Sequence, residues 1–341
     1  MPGVTGLKRW TRDARMLVRI TAGAIAALST ADLALAGPAL LLDAAESKVL
    51  YAEDPDNQWH PASLTKIMTA YVTFGAIKEE MLTLETIIAC SPLPNSQGPT
   101  KIGLPVGTTM TVEAALQALI MESANDVAVM LAEAVAGSHA VFVEQMNATA
   151  ARLGMTRTKF ANANGLPARE QVTTARDLGK LAMAVVHDYP QYARLWSMQE
   201  GRVGRRQFRT HNGLLVNYAG ADGMKTGFIC DSGFNVVASA TRDGRKLIAV
   251  VLGERTKIER SLRAANLLEH GFQTHAWKAL FPAQTLDTLP MAEDAMGPVT
   301  IRERVISWVC GTARQPNSKG SREKGRTLAT APVRDAPWPP W

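Results

Sequence analysis

The sequence predicts an α+β domain over residues 37–276, in which a sheet joins the two ends of the chain. Short apolar runs follow the N-terminal segment, β-branched runs flank a tight turn near residue 243, and helical periodicity fills the interval between them.

Taken in order, Ala39-Leu40-Leu41-Leu42-Asp43 and Lys48-Val49-Leu50-Tyr51-Ala52 flank Ala44-Ala45-Glu46-Ser47 and read as a β-hairpin. Pro61 then punctuates the chain, and Ser63 to Ile77 has the apolar spacing of a helix. Cys90 to Thr111 is rich in Pro and Gly and reads as an irregular excursion. Helices are expected over Val112 to Met121 and Asp126 to Ala136, a third from Ser138 to Gly154, and a fourth started by Thr174 and Asp177. Phe234 to Ala240 and Lys246 to Leu252, joined by Arg242-Asp243-Gly244-Arg245, give the strongest hairpin signal. Ile258 to His270, closed by Gly271, reads as a final amphipathic helix. Pro282 to Cys310, within an extension over 277–310, is expected to hold a short strand or two. Residues 311–341, basic and rich in Pro, Gly and Ser, read as a disordered tail.

A formal charge of +6 raises the question of a nucleic-acid partner. The charge sits at the ends, with +3 in residues 1–36 and +4 in residues 311–341, so the body carries −1 and the nucleic-acid reading loses its support. The N-terminus has a basic stretch (Lys8, Arg9, Arg12, Arg15, Arg19), an apolar segment from Ile20 to Leu35, and Ala34-Leu35-Ala36 before Gly37. Those are the parts of an export signal over residues 1–36, cleaved after Ala36 into an extracytoplasmic setting. Three cysteines, Cys90, Cys230 and Cys310, are too few and scattered to signal a disulfide framework or a zinc site. An odd count leaves at least one thiol unpaired, and Cys230, three residues past Gly227, reads as a small apolar filler.

The chemistry is carried by three short motifs. Serine attack on an acyl carbon needs a base, and Lys66 stands three residues after Ser63, on the same helix face. To act as a base it must be neutral, which burial and a second cation such as Lys225 would bring about. Ser123-Ala124-Asn125 falls between two predicted helices, where the hydroxyl can relay a proton and the amide can hold a peptide carbonyl. Lys225-Thr226-Gly227 precedes the strong hairpin and offers a charge, a hydroxyl and a strand edge with room for a substrate backbone. Each motif alone has a plainer explanation as a helical Ser/Lys pair, a helix cap or a polar strand start. Their order along helix, inter-helix loop and strand is what points to an acylating serine hydrolase.

With these motifs, and with Pro61-Ala62-Ser63-Leu64-Thr65-Lys66-Ile67-Met68-Thr69-Ala70, Thr174-Ala175-Arg176-Asp177-Leu178, Asn212-Gly213-Leu214-Leu215 and Asp222-Gly223-Met224-Lys225-Thr226-Gly227, the chain resembles the low-molecular-mass penicillin-binding D-alanyl-D-alanine carboxypeptidases. The resemblance covers about residues 38–275. It implies the serine β-lactamase/DD-peptidase-like fold, an antiparallel sheet flanked by helices with an all-helical subdomain. It implies that Ser63 forms an acyl-enzyme activated by Lys66, that Ser123 and Asn125 assist, and that Lys225, Thr226 and Gly227 bind substrate. It maps an oxyanion hole to the Ser63 and Phe228 N–H groups, and a carboxylate-binding arginine to Arg260, with Arg255 second. The implied partners are peptidoglycan stem peptides and, as covalent inhibitors, β-lactams; the chemistry requires no metal or cofactor.

Ala124 and Ile229 depart from the glycine and threonine common in the family, and the stretch after residue 276 is too short and polar for the family's C-terminal domain and amphipathic anchor. Any envelope or membrane contact is therefore expected to be peripheral. A β-lactamase would show an E-x-x-L-N pattern after Asn125, which is absent, and a penicillin sensor would show a spanning helix. A DD-endopeptidase is the nearer alternative, disfavoured by the basic cluster around Arg260.

Overall fold

In a computed structural model, the structure describes residues 37–204, 206–278, 284–306 and 310. The proposed signal over 1–36 and tail over 311–341 lie outside the described residues. One five-stranded sheet is built from both ends of the domain. It comprises β1 (Ala39–Asp43), β2 (Val49–Glu53), β7 (Ala221–Ile229), β8 (Gly233–Arg242) and β9 (Arg245–Glu254), in the order β2-β1-β9-β8-β7. Every pairing is antiparallel, so the N-terminal hairpin docks directly onto the C-terminal one, with Leu41 opposite Ala249.

Alternation along the strands creates two cores. Leu40, Leu42, Val237, Ile248 and Val250 face a helical layer, while Ala39, Leu41, Val236, Ala238, Ala249 and Val251 face the last helix. Because helices cover both faces, β1 reads as an unbroken apolar run rather than as alternation.

The helical layer contains α1 (Thr65–Lys78), which follows a single 3-10 turn over Ala62–Leu64. A small hairpin, β3 (Ile87–Ala89) and β4 (Thr109–Thr111), brackets the predicted excursion, which also holds a short α2 (Pro92–Asn95). Then come α3 (Val112–Met121), α4 (Asn125–Ala136), α5 (His139–Arg152) and α6 (Ala175–Asp188). The Ser138 and Thr174 hydroxyls accept the Val141 and Asp177 N–H groups, the caps that the sequence predicts. Helix α4 is buried along most of its length and packs against α1, α3 and α5, so its first residues are fixed from all sides. A short α7 (Ala193–Ser197), the hairpin β5 (Glu200–Val203) with β6 (Arg206–Arg209), and α8 (Leu214–Asn217) lead into β7.

Three expectations are corrected. The last helix, α9 (Lys257–Lys278), does not stop at Gly271 but runs seven residues further. A side chain at Gly271 would meet Leu247 at 2.7 Å and Leu41 at 2.8 Å, so this glycine lets the helix lie close on the sheet rather than ending it. Residues 284–306 contain no strand among the described residues, only a single bridge from Thr285 to Lys48. They form a strap whose own carbonyls and N–H groups are taken up by Arg176, Asp56, Asn57 and Gln58. Finally, Cys230 is not a filler but is disulfide-bonded to Cys310, 80 residues away, a pairing that spacing alone cannot reveal. Cys90 is the unpaired thiol and is buried. Among the described residues no single helix is long and apolar enough to span a membrane.

Candidate active site

The three motifs meet where the helical layer touches the edge strand β7. Ser63 lies in the 3-10 turn at the head of α1, partly exposed, and Lys66 lies one turn on and is fully buried. The Lys66 Nζ is 3.0 Å from the Ser63 Oγ and 2.7 Å from the Asn125 Oδ1, and its third partner is the Asn164 carbonyl oxygen. Two of these partners can only accept. A neutral amine has two N–H donors for them and one lone pair, which is then aimed at the serine hydroxyl. Burial, and after it the charge on Lys225, hold the Lys66 amine well below the ordinary lysine value.

Ser123 lies in the break between α3 and α4, and Asn125 is the first residue of α4. Ser123 adopts a φ of +60°, a left-handed conformation that costs a non-glycine residue about 1–3 kcal/mol, and its buried Oγ has no protein partner. Asn125 donates its Nδ2 to the Gly98 carbonyl at 3.0 Å and its backbone N–H to the Thr100 carbonyl at 2.8 Å. Asp126 accepts from the Ile102 and Gly103 N–H groups at 3.1 and 2.7 Å. The irregular excursion is thus pinned over the site by Asn125, which also holds the lysine, and by its neighbour Asp126.

Strand β7 brings Lys225, Thr226, Gly227 and Phe228 alongside. A methyl group at Gly227 would lie 2.9 Å from the Pro61 carbonyl and 3.2 Å from the Ser63 N. The need for glycine here is therefore the approach of the strand to the nucleophile's turn, beyond the room for substrate that the sequence suggests. Lys225 is buried, and burial followed by the charge of Arg260 brings its amine down to about 7. Arg260, on the first turn of α9, is 6 % exposed, its Nε has no protein partner, and burial lowers it to about 10.

Ser63, Ser123, Thr226, Gly227, Phe228 and Arg260 line one cavity of about 230 Å³, together with Thr100, His211, Phe234 and Lys257. Lys66, Asn125 and Lys225 stand behind its wall. All nine residues singled out from the sequence are brought together, whereas Arg255, the second choice, is exposed and does not line the cavity. Sequence reasoning missed the Asn164 carbonyl, the Asp126 anchor and His211. The Asn164-Gly165 turn signal marks the first, and nothing in the sequence marks His211. His211 sits 3.7 Å from Glu122, and burial, then Lys225, lower its imidazole. Among the described residues no cluster of His, Cys, Asp or Glu is arranged to hold a metal ion.

An antiparallel sheet with a helical layer, and at their junction a partly exposed serine on a buried lysine, defines a serine acyl-transfer fold. Residues 26–256 match the model of the D-alanyl-D-alanine carboxypeptidase peptidase family. The Escherichia coli D-alanyl-D-alanine carboxypeptidases DacC and DacD are 36 % and 35 % identical over 241 and 245 residues. These alignments take in 69 % and 70 % of this chain but 60 % and 63 % of theirs, so the chain spans somewhat under two thirds of the length of these relatives. Penicillin-binding protein 6B from E. coli superposes with a TM-score of 0.67 at 35 % identity, covering 70 % of this chain and 77 % of that one. Penicillin-binding protein D2 from Listeria monocytogenes, in its ampicillin-bound form, gives 0.61 at 28 % identity, covering 70 % of this chain and 97 % of that one. The chain belongs to the D-alanyl-D-alanine carboxypeptidase family.

Proposed function

We propose that this protein is a serine-type D-Ala-D-Ala carboxypeptidase that removes the terminal D-alanine from peptidoglycan stem peptides. The observation that carries this reading is the fully buried Lys66 amine, 3.0 Å from the Ser63 Oγ, with its two remaining partners able only to accept. Ser63 gives its proton to Lys66 as Oγ bonds to the penultimate D-alanyl carbonyl carbon. The backbone N–H groups of Ser63 and Phe228 face the developing oxyanion. As the C–N bond breaks, the leaving D-alanine nitrogen receives a proton by way of the unpartnered Ser123 hydroxyl. Water then attacks the acyl-serine, and the proton path reverses. Thr226 and Arg260 hold the terminal carboxylate with the Lys225 charge close behind them, and this cationic wall favours a free chain end over the cross-link that an endopeptidase would cut. A β-lactam acylates Ser63 by the same steps, its leaving group staying tethered in the cavity.

Residues 1–36 act as the export signal on this reading, and the Cys230–Cys310 disulfide supports an oxidising, extracytoplasmic location. The catalytic unit is residues 37–276, residues 277–310 are an extension whose described part, 284–306, lies against it, and residues 311–341 are a polar tail capable of peripheral contact with the envelope.

The test incubates purified protein with diacetyl-L-lysyl-D-alanyl-D-alanine and, separately, with fluorescent penicillin, wild type beside Ser63→Ala. Free D-alanine and a labelled band from wild type alone are expected. Labelling without D-alanine release would point to a penicillin-binding sensor, and release by Ser63→Ala would end the proposal.

A further inference from the structure

The proposed carboxylate pocket has two walls from different parts of the chain. Thr226, Gly227 and Phe228 belong to β7, an edge strand paired only with β8, while Lys257 and Arg260 belong to the start of α9, just past β9. The ladder aligns Phe228 with Phe234 and Phe234 with Glu254, but it stops short of the turn over residues 230–232 and of the loop that enters α9.

The last part of the strap touches both. At the β7 end, the Ile301 N–H donates to the Asp231 carbonyl at 3.0 Å, and the Ile301 side chain packs over Gly233. The Thr300 hydroxyl and the Arg302 guanidinium donate to the Asp231 carboxylate at 2.9 and 3.1 Å, and Cys310 is bonded to Cys230. At the α9 end, the Ile306 N–H donates to the Arg255 carbonyl at 3.1 Å, two residues before the helix begins. Arg302 is half exposed, so its ion pair holds little, and the backbone bonds and the disulfide carry the connection. From the opposite side the Trp59 indole N–H fixes the same turn by donating to the Ser232 carbonyl at 2.9 Å.

We infer that residues 300–306, with Cys310, are a brace that joins the β7–β8 turn to the loop entering α9 and so steadies the two walls of the carboxylate pocket beyond the alignment that the ladder gives, with the Cys230–Cys310 disulfide as its lock. The inference rests on the carboxypeptidase reading of the site. Opening the lock takes two electrons and two protons, which dithiothreitol supplies as it closes to its own cyclic disulfide. The β7 end then loses its covalent tie to the strap, and the cations of α9 are held less closely in place against Thr226.

The experiment uses the full chain, oxidised, reduced with dithiothreitol, and as Cys310→Ser. Two acyl-D-alanyl thiolesters serve as substrates, one with a carboxylate on the leaving group and one with that carboxylate amidated. In the reduced and Cys310→Ser proteins, kcat/KM for the carboxylate ester is expected to fall about tenfold, mainly through KM, with the amide ester changed less than about twofold. Reoxidation restores the reduced wild type. Equal losses on both esters, or no loss on either, overturn the brace. Since opening a disulfide can also loosen a fold, Ile306→Pro provides a second arm, because it deletes one N–H donor beneath a side chain that is 53 % exposed and leaves the disulfide intact. A selective rise in KM for the carboxylate ester, with an unchanged melting curve, supports the brace, and wild-type values on both esters overturn it. If oxidised wild type cleaves neither ester, the carboxypeptidase reading itself falls, and the brace with it.

Discussion

Two amines close together must hold different protonation states for the proposed chemistry, Lys66 neutral and Lys225 charged. Burial lowers both, and each then feels a neighbouring cation: Lys225 in the case of Lys66, and Arg260 in the case of Lys225. Activity should rise with pH as Lys66 loses its proton, and fall as Lys225, brought down to about 7, loses its own. The profile of kcat/KM, which reports the free enzyme, is therefore expected to be bell-shaped with a descending limb near pH 7. A bound carboxylate favours the Lys225 ammonium, so the descending limb of kcat should lie at higher pH than that of kcat/KM. Lys225→Arg cannot lose its proton in this range and should abolish the limb, though at a cost in rate from the altered fork geometry. An unchanged descending limb in that variant would assign it to another group, with His211 the first to examine because it lines the same cavity. At this scale the sequence was legible to an unusual degree. The i, i+3 spacing of Ser63 and Lys66 gave their contact outright, because a helix face is a local property. The Asn164 carbonyl, 98 residues further along, was not legible, because any residue's backbone can supply a carbonyl.

Among the elements, two glycines separate fold from function. Gly227 keeps β7 against the turn that carries Ser63, and Gly271 keeps α9 against the far face of the sheet. Alanine at either position should destabilise by about 1–3 kcal/mol through overpacking, seen as a lower melting temperature. Only Gly227→Ala should also slow acylation of Ser63, by about 10²-fold, since it moves the strand relative to the nucleophile. A Gly271→Ala protein that acylates as slowly as Gly227→Ala would show that sheet distortion of any origin reaches the site. The two hairpins of the main sheet and the caps were legible because turn and capping chemistry is local, as at Ser138, Thr174 and Asp243-Gly244, whereas the small hairpins β3–β4 and β5–β6 were not. The end of α9 was not, since Gly271 reads locally as a stop while packing against Leu41 and Leu247 makes it continue.

The whole molecule is tied together by the strap and by one buried ion pair beneath it. Arg176, on α6, binds Asp56 at 2.5 and 2.8 Å and spends its remaining donors on the Leu286, Leu289 and Pro290 carbonyls. Arg176→Met should cost about 3–5 kcal/mol at neutral pH, because it leaves a buried carboxylate and three strap carbonyls without partners. Burial alone would raise the Asp56 carboxyl, but the hydrogen bonds from Arg176 and from the Ala292 N–H outweigh it and hold the group below its ordinary 3.8. A lowered carboxyl stabilises the fold above its unfolded value, and that contribution is lost as pH falls through the folded one. Denaturant titrations at pH 7 and at acid pH should therefore show the gap between wild type and Arg176→Met narrowing in acid. A gap that widened instead would place the charge compensation elsewhere.

Composition and local spacing by themselves determined that this chain makes an α+β domain, that its charge lies at its ends, and that a serine, a lysine and a Lys-Thr-Gly strand stand in acyl-transfer order. Tertiary structure alone decided that Lys66 is dry enough to lose its proton, that Arg260 rather than Arg255 faces the cavity, and that Cys230 is bonded to Cys310. The division follows from range. Helix faces, caps and turns are set by residues within a few positions of one another, whereas burial, electrostatic coupling and disulfide partners depend on which distant segments the folded sheet and the strap bring into contact.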